Sequence, residues 1–172
     1  NKLHAQKARV SLNEIAAELV REMDLLQEGR SITFTAEDEV EIFAEYDLIK
    51  QLLWIHGENA LKYSPNGSEI APGYRTQNPV AVRVWKDASF GYVSVEDHGA
   101  GIVEEDLRKI FDRFYRADKS RNKEVSGTGL GLAIARWIID CHDGEVLVES
   151  KAGEGTIFTD KFRLFSAEKE AK

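Results

Sequence analysis

Two spacings of apolar residues run through the chain: every third or fourth position in some stretches, every second position in shorter ones, the marks of helices and half-buried strands. From Asn13 to Leu26, the residues Ile15, Ala16, Leu19, Val20, Met23 and Leu26 share one face, which predicts an amphipathic helix with Asn13 as its N-cap. Ser31 to Thr35 and Val40 to Ala44 alternate apolar and polar residues around the acidic run Glu37-Asp38-Glu39, predicting two short strands. A second helix is expected after Asp47, with Leu48, Leu52, Ile55 and Tyr63 on its apolar face, ending at Ser64-Pro65-Asn66-Gly67. Val80 to Trp85 and Tyr92 to Val95 give the strongest hairpin signal. Glu104-Glu105-Asp106 opens a short helix through Ile110, acidic at its N-terminus as the macrodipole prefers. A third long helix, Ala133 to Cys141, is closed by His142-Asp143-Gly144, with glycine expected near C′. Glu145 to Glu149 and Thr156 to Phe165 predict a final pair of strands.

Between the short helix and the last long one, Arg113 to Ser126 is charged, polar and nearly free of aliphatic residues, the character of a functional lid or a disordered loop. Residues 1–9 carry no apolar repeat and read as a linker or the end of a preceding helix, residues 10–165 as one catalytic or binding domain, and residues 166–172 as a disordered tail. A chain of 172 residues buries about two-thirds of its unfolded surface and folds without disulfides. Its net charge of −7 opposes a nucleic-acid face, which needs a basic stripe. The single cysteine, Cys141, has no internal partner and fits a reducing compartment and a packing role. No apolar run approaches the ~20 residues that span a bilayer, and no secretory pattern opens the chain. Its first residue, Asn1, hints at a fragment trimmed from a larger protein.

Four segments carry candidate chemistry. The glycine-rich turn Ser126-Gly127-Thr128-Gly129-Leu130-Gly131-Leu132 runs into the last long helix, so a phosphate laid there meets free backbone N–H groups and the positive end of the helix dipole. Such entries also serve simply to let a helix pack closely. On the second helix Asn59, Lys62 and Tyr63 stand at i, i+3 and i+4 and project from nearly one face. An asparagine oxygen can complete a Mg²⁺ shell that phosphates mostly fill, a lysine can neutralise those phosphates, and a tyrosine ring can wall the pocket. The plainer alternative is a local cap, a solvated lysine and a core tyrosine. Asp97, at a strand end before Gly99, Gly101 and Ile102, is an acceptor when ionised; it takes a hydrogen bond from the amine of adenine and repels the carbonyl of guanine. A tight turn with Asp97 as turn former explains the same segment. In Phe111-Asp112-Arg113-Phe114-Tyr115-Arg116-Ala117-Asp118 and beyond, Arg116 and Arg121 can swing onto a terminal phosphate, or stay solvated.

The order Asn59-Ala60-Leu61-Lys62-Tyr63-Ser64, Asp97 to Ile102, Phe111 to Asp118 and Gly127 to Ile134 resembles the ATP-binding catalytic domain of sensor histidine kinases, and Gly153-Glu154-Gly155-Thr156 resembles that family's closing glycine motif. The wider superfamily includes gyrase, MutL and the heat-shock chaperone ATPases. The resemblance implies a two-layer α/β sandwich, a mixed sheet covered on one face by helices, with ATP under a flexible lid. It implies that Asn59 ligates Mg²⁺, Lys62 meets phosphate, Tyr63 lines the pocket, Asp97 reads adenine with Gly99, Gly101 and Ile102 shaping that end, and Thr156 contributes from the closing motif. Gly127, Thr128, Gly129, Leu130, Gly131 and Leu132 would hold the triphosphate, with Arg116 and Arg121 reaching it. Many members carry a second asparagine four residues before the metal ligand, or in hydrolysing relatives a water-activating glutamate; here Ile55 stands there, favouring transfer to an acceptor over hydrolysis. That acceptor would be a histidine on a separate helical hairpin, for which the residues before Val10 are too few; His4 lacks its acidic and proline context. His56 lies one turn before Asn59 and either touches the pocket or packs in the helix, His98 points out of its turn, and His142 favours the dipole at a helix C-terminus.

The implied partners are the dimerisation and phosphoacceptor domain of a homodimeric, membrane-anchored parent, and through it a response regulator; the implied place is the cytoplasmic portion of that sensor, with this fragment itself monomeric. An ATP-binding regulatory module without transfer and an anti-sigma-type serine kinase are the alternatives.

Overall fold

Alternating burial along the predicted strands assembles one mixed sheet whose inner face is almost wholly apolar. In a computed structural model of the chain, residues 6–26, 32–63, 80–113, 115 and 130–167 are described. Strands β1 (Ala8–Ser11), β2 (Ile32–Ala36), β3 (Glu41–Ala44), β4 (Val80–Lys86), β5 (Phe90–Asp97), β6 (Glu145–Lys151) and β7 (Gly155–Arg163) are joined with helices α1 (Leu12–Leu26), α2 (Tyr46–Tyr63), α3 (Glu104–Leu107) and α4 (Gly131–Cys141). Five strands form a sheet in the order β2-β4-β5-β7-β6, in which only β2 and β4 run parallel. The register sets Val82 opposite Val95, and Val95 opposite Phe158, so that Val82, Val84, Val93, Val95, Phe158 and Phe162 face one side together. α1, α2 and α4 cover that face, α2 in the middle against β5. The core is theirs as well: Leu12, Ile15, Leu19, Ile49, Leu52, Leu53, Ile138 and Ile139 are fully buried. The two-layer sandwich expected from the resemblance is the architecture found. No helix among the described residues is long and apolar enough to cross a membrane.

Four local readings need correction. Ala8 and Arg9, grouped from sequence with a polar stub, lie in β1, which pairs antiparallel with β3 in a separate two-stranded ribbon; a four-residue edge strand has no periodicity to recognise. Asn13 does not cap α1. Ser11 does, its Oγ accepting the Glu14 N–H at 3.2 Å, while Asn13, already inside the helix, donates to the Asp38 carbonyl at 2.7 Å and accepts the Val40 N–H at 2.9 Å. The amide therefore stitches α1 to the segment before β3. At the end of α4 the left-handed position is Asp143, with φ 51°, not the glycine after it. The Asp143 N–H reaches the Asp140 carbonyl and the Gly144 N–H the Ile139 carbonyl, which closes the helix as a Schellman turn. His142, last, does not act there as a cation. Its Nε2 accepts the Glu45 N–H at 3.1 Å, which leaves the hydrogen on Nδ1 to donate to the Ile138 carbonyl at 2.7 Å. That ring is neutral, and burial holds its pKa below the ordinary value.

Candidate functional site

Where β5 ends, the chain has to leave the sheet through Asp97-His98-Gly99-Ala100-Gly101-Ile102, and its carboxylate turns inward. Asp97 is buried, and its Oδ1 accepts the Gly99 N–H at 2.9 Å. Burial raises the Asp97 pKa, while hydrogen bonds from Gly99 and from the Thr156 backbone pull the other way. Two glycines let this turn lie against the β6–β7 hairpin. Gly101 has φ +70°, and a Cβ there would fall 2.1 Å from the Lys151 carbonyl oxygen; Gly155 has φ +128°, and its Cβ would fall 2.1 Å from the Asp97 carbonyl oxygen. No other residue fits either position without moving backbone.

Ser150 ties the contact together, and its hydroxyl fixes the chemistry of its neighbour. Its Oγ accepts the Ile102 N–H at 2.7 Å, lies 2.9 Å from the Gly155 carbonyl and 2.8 Å from Thr156 Oγ1. A carbonyl only accepts, so the one Ser150 hydrogen goes to Gly155 and the Thr156 hydroxyl must donate to Ser150. The remaining Thr156 lone pairs, like the ionised Asp97, then seek a donor. Sequence reading missed Ser150, because a serine at an alternating strand position looks like any surface serine. A cavity of about 470 Å³ opens at this end of the sheet, walled by Asp97, Ser150, Gly155 and Thr156 among others.

The second group lies on α2. Asn59 is half-buried and Lys62 exposed in its last turns, and Tyr63 is its last residue. Ile55, one turn earlier, is buried in the core and carries no side-chain oxygen. His56 is also buried: it packs in the core against β7 and does not line the pocket. His98 is half-exposed, 3.9 Å from Glu96. Among the described residues no three His, Cys, Asp or Glu side chains converge as a metal site.

The third group is the start of α4. Leu130 occupies its N-cap position without a side-chain cap, which leaves the first-turn N–H groups of Gly131, Leu132 and Ala133 outside the helical ladder. Gly131 sits beside α2, where an added methyl would lie 3.6 Å from Ile55 Cγ2, an ordinary contact. Packing against α2 therefore does not require a glycine at 131. Ahead of it, Tyr115 anchors its hydroxyl on Asp106 of the α3 helix. Gly127, Thr128, Gly129, Arg116, Arg121 and His4 lie outside the described residues, as does most of the expected tail.

Residues 44–166 match the model of the family described as histidine kinase-, DNA gyrase B- and HSP90-like ATPases. The sensor histidine kinase YkoH of Bacillus subtilis is 42% identical over 128 residues, which cover 74% of this chain and 26% of YkoH. The sensor protein CiaH of Streptococcus pneumoniae is 36% identical over 151 residues, 88% of this chain and 32% of CiaH. The chain thus spans about a quarter to a third of these relatives. Among solved structures, the nucleotide-free catalytic domain of the histidine kinase ThkA matches with a TM-score of 0.73 and 25% identity over 92% of this chain and 97% of that one. With a family match over most of its length and the expected sandwich around Asp97, this chain belongs to the histidine kinase-, DNA gyrase B- and HSP90-like ATPase family.

Proposed function

We propose that this chain binds Mg-ATP between the end of β5, the last turns of α2 and the start of α4, and transfers the γ-phosphate to a histidine on a separate phosphoacceptor domain. The observation that carries the reading is the pair of acceptors at the base end, Asp97 and Thr156, held by Gly99 and Ser150. An adenine amine donates to Asp97, whereas guanine would bring a carbonyl to a carboxylate. A charge-assisted hydrogen bond contributes about 1.5–3 kcal/mol, enough for roughly a tenfold or larger preference. The uncapped N–H groups of α4 and the backbone of Gly127, Thr128 and Gly129 receive the phosphates, as an anion at a helix N-terminus is favoured by both donors and dipole. The Asn59 amide oxygen and the Lys62 ammonium serve the phosphate end, with Arg116 and Arg121 as further cations and Tyr63 and Leu132 as walls. The donor set fits a hard cation held mostly by phosphate oxygens, and Mg²⁺ bound there supplies charge neutralisation of the triphosphate.

In the transfer, a ring nitrogen of the acceptor histidine bonds to the γ-phosphorus, the bond to the bridging β–γ oxygen breaks, and ADP leaves with that electron pair. A buried Ile55 offers no carboxylate to activate water, which supports transfer over hydrolysis. The parent is a homodimeric, membrane-anchored sensor with this domain on the cytoplasmic side, and its phosphoacceptor domain passes the group to a response regulator; the relatives' names as sensor histidine kinases support this. Calorimetric titration with Mg-ATP, comparing wild type with Asp97→Asn, tests the first half: equal affinity for the two would overturn it. Incubation with labelled ATP and a separately expressed phosphoacceptor hairpin tests the second. An acid-labile, base-stable label on the hairpin is expected; retained binding without label would identify a nucleotide-binding module.

A further inference from the structure

His56 and Asp160 form a charged-type pair inside an apolar core, 104 residues apart in the chain. Their exposures are 1% and 0%. His56 Nε2 lies 3.1 Å from Asp160 Oδ1 and 3.0 Å from Oδ2, and its ring stacks on Phe158 with centroids 4.8 Å apart. A carboxylate accepts only, so Nε2 carries the hydrogen, and that hydrogen bond goes to Oδ1. Among the described residues, His56 Nδ1 and Asp160 Oδ2 are buried side-chain atoms with no hydrogen bond of their own. An arrangement this incomplete is a poor source of stability, because replacing a buried ion pair by well-packed apolar residues is commonly neutral or stabilising. Its distinctive property is direction. Apolar packing sets a helix on a sheet through shape alone, whereas a hydrogen bond is directional and ties one helix position to one strand residue.

The positions of the two residues give that direction a use. His56 is three residues before Asn59 on α2, about 4.5 Å along the helix. Asp160 is four residues after Thr156 on β7, so both point to the helical side of the sheet, and Thr156 is the register partner of Asp97. We propose that His56 and Asp160 are positioning residues that set α2, and with it Asn59 and Lys62, in register with the base-reading end of the sheet. The inference rests on the Mg-ATP reading above. It makes affinity for the whole nucleotide depend on a pair that touches none of it.

The test measures Mg-ATP and adenosine affinity together with urea stability in wild type, His56→Leu, His56→Gln and the double variant His56→Leu/Asp160→Leu. Glutamine places an amide N–H near the imidazole Nε2 and is expected to bind Mg-ATP within about twofold of wild type. The single leucine variant and the double variant are expected to lose about tenfold in Mg-ATP affinity with adenosine affinity unchanged, because adenosine engages only the sheet side. The double variant removes the buried charge along with its partner and keeps the experiment decisive where the single variant does not fold. A folded double variant that binds Mg-ATP like wild type overturns the proposal, as does an equal loss for both ligands, which would mean general loosening of the core. Absence of Mg-ATP binding in the wild-type chain instead overturns the nucleotide reading and this inference with it.

Discussion

Asp97 accepts most strongly from an amine when ionised, and its burial works against ionisation. Because the folded pKa is raised above the ordinary 3.8, the stability it contributes is present below that value and lost as pH rises through the folded pKa. Binding runs the other way, since the charged and stronger acceptor appears only above that point. Adenosine affinity is therefore expected to fall as pH drops through a value above 3.8, and Asp97→Asn to bind weakly with a flat pH profile, both read by titration across the acid range. At Ser150 the expectation concerns selectivity. Ser150→Ala frees the Thr156 hydroxyl to donate, so the preference for ATP over GTP should fall by about fivefold in a competition assay, corresponding to one ordinary hydrogen bond of ~1 kcal/mol. Asp97 and Thr156 were legible in the sequence because glycines and a closing motif frame them. Ser150, His56 and Asp160 were not: the Ser150 contacts depend on how the β6–β7 hairpin folds back and meets the turn after β5, and His56 and Asp160 meet across 104 residues.

Helices and strands were mostly legible as elements, because each needs only its own spacing; their ends and junctions were not. The end of α4 shows why. A Schellman turn needs one left-handed residue, and sequence favours the glycine, yet Asp143 takes that position and Gly144 supplies the next N–H. Asp143→Gly is accordingly expected to raise stability by about 0.5–1 kcal/mol in urea unfolding, the cost of a left-handed L-residue outweighing the added freedom of the unfolded chain. His142, one residue earlier, joins α4 to the start of α2 through Glu45. Its folded pKa lies below the ordinary 6.5, so below that pH the unfolded chain binds the extra proton first. The His142 contribution is thus present above about 6.5 and lost as pH falls toward the lowered folded value. Unfolding midpoints measured between pH 5 and 8 should show a steeper acid-side decline in wild type than in His142→Gln, whose amide can still accept the Glu45 N–H without titrating.

At the scale of the molecule, the strand order β2-β4-β5-β7-β6 and the parallel β2–β4 pair carry no local signal, because pairing depends on which face each helix covers. The ribbon of β1 and β3 was equally hidden, and it bears on where the folded unit starts. Ile42 bridges Leu164, and the Phe165 N–H donates to the Glu41 carbonyl, so the ribbon joins the first strand to the last described residues. Lys7 donates to the Cys141 carbonyl at 2.7 Å; Arg9 pairs with Glu41 and lies 5.3 Å from the Phe165 ring. A domain beginning at Val10 would keep the Ile42 and Phe165 contacts but lose those of Lys7 and Arg9, together with the Ala8–Ala44 and Arg9–Phe43 pairings. Exposed ion pairs contribute little and backbone hydrogen bonds about 1 kcal/mol each, so the loss comes to roughly 2 kcal/mol. For a domain of this size that lowers the melting temperature by roughly 4–8 °C. Calorimetry on chains starting at Gln6 and at Val10 should show that difference with unchanged Mg-ATP affinity, since none of these contacts touches Asp97, Asn59 or the start of α4. Equal melting temperatures would place the boundary at Val10 and make β1 an adornment of the fold; a lower one makes the strand the first element of the domain.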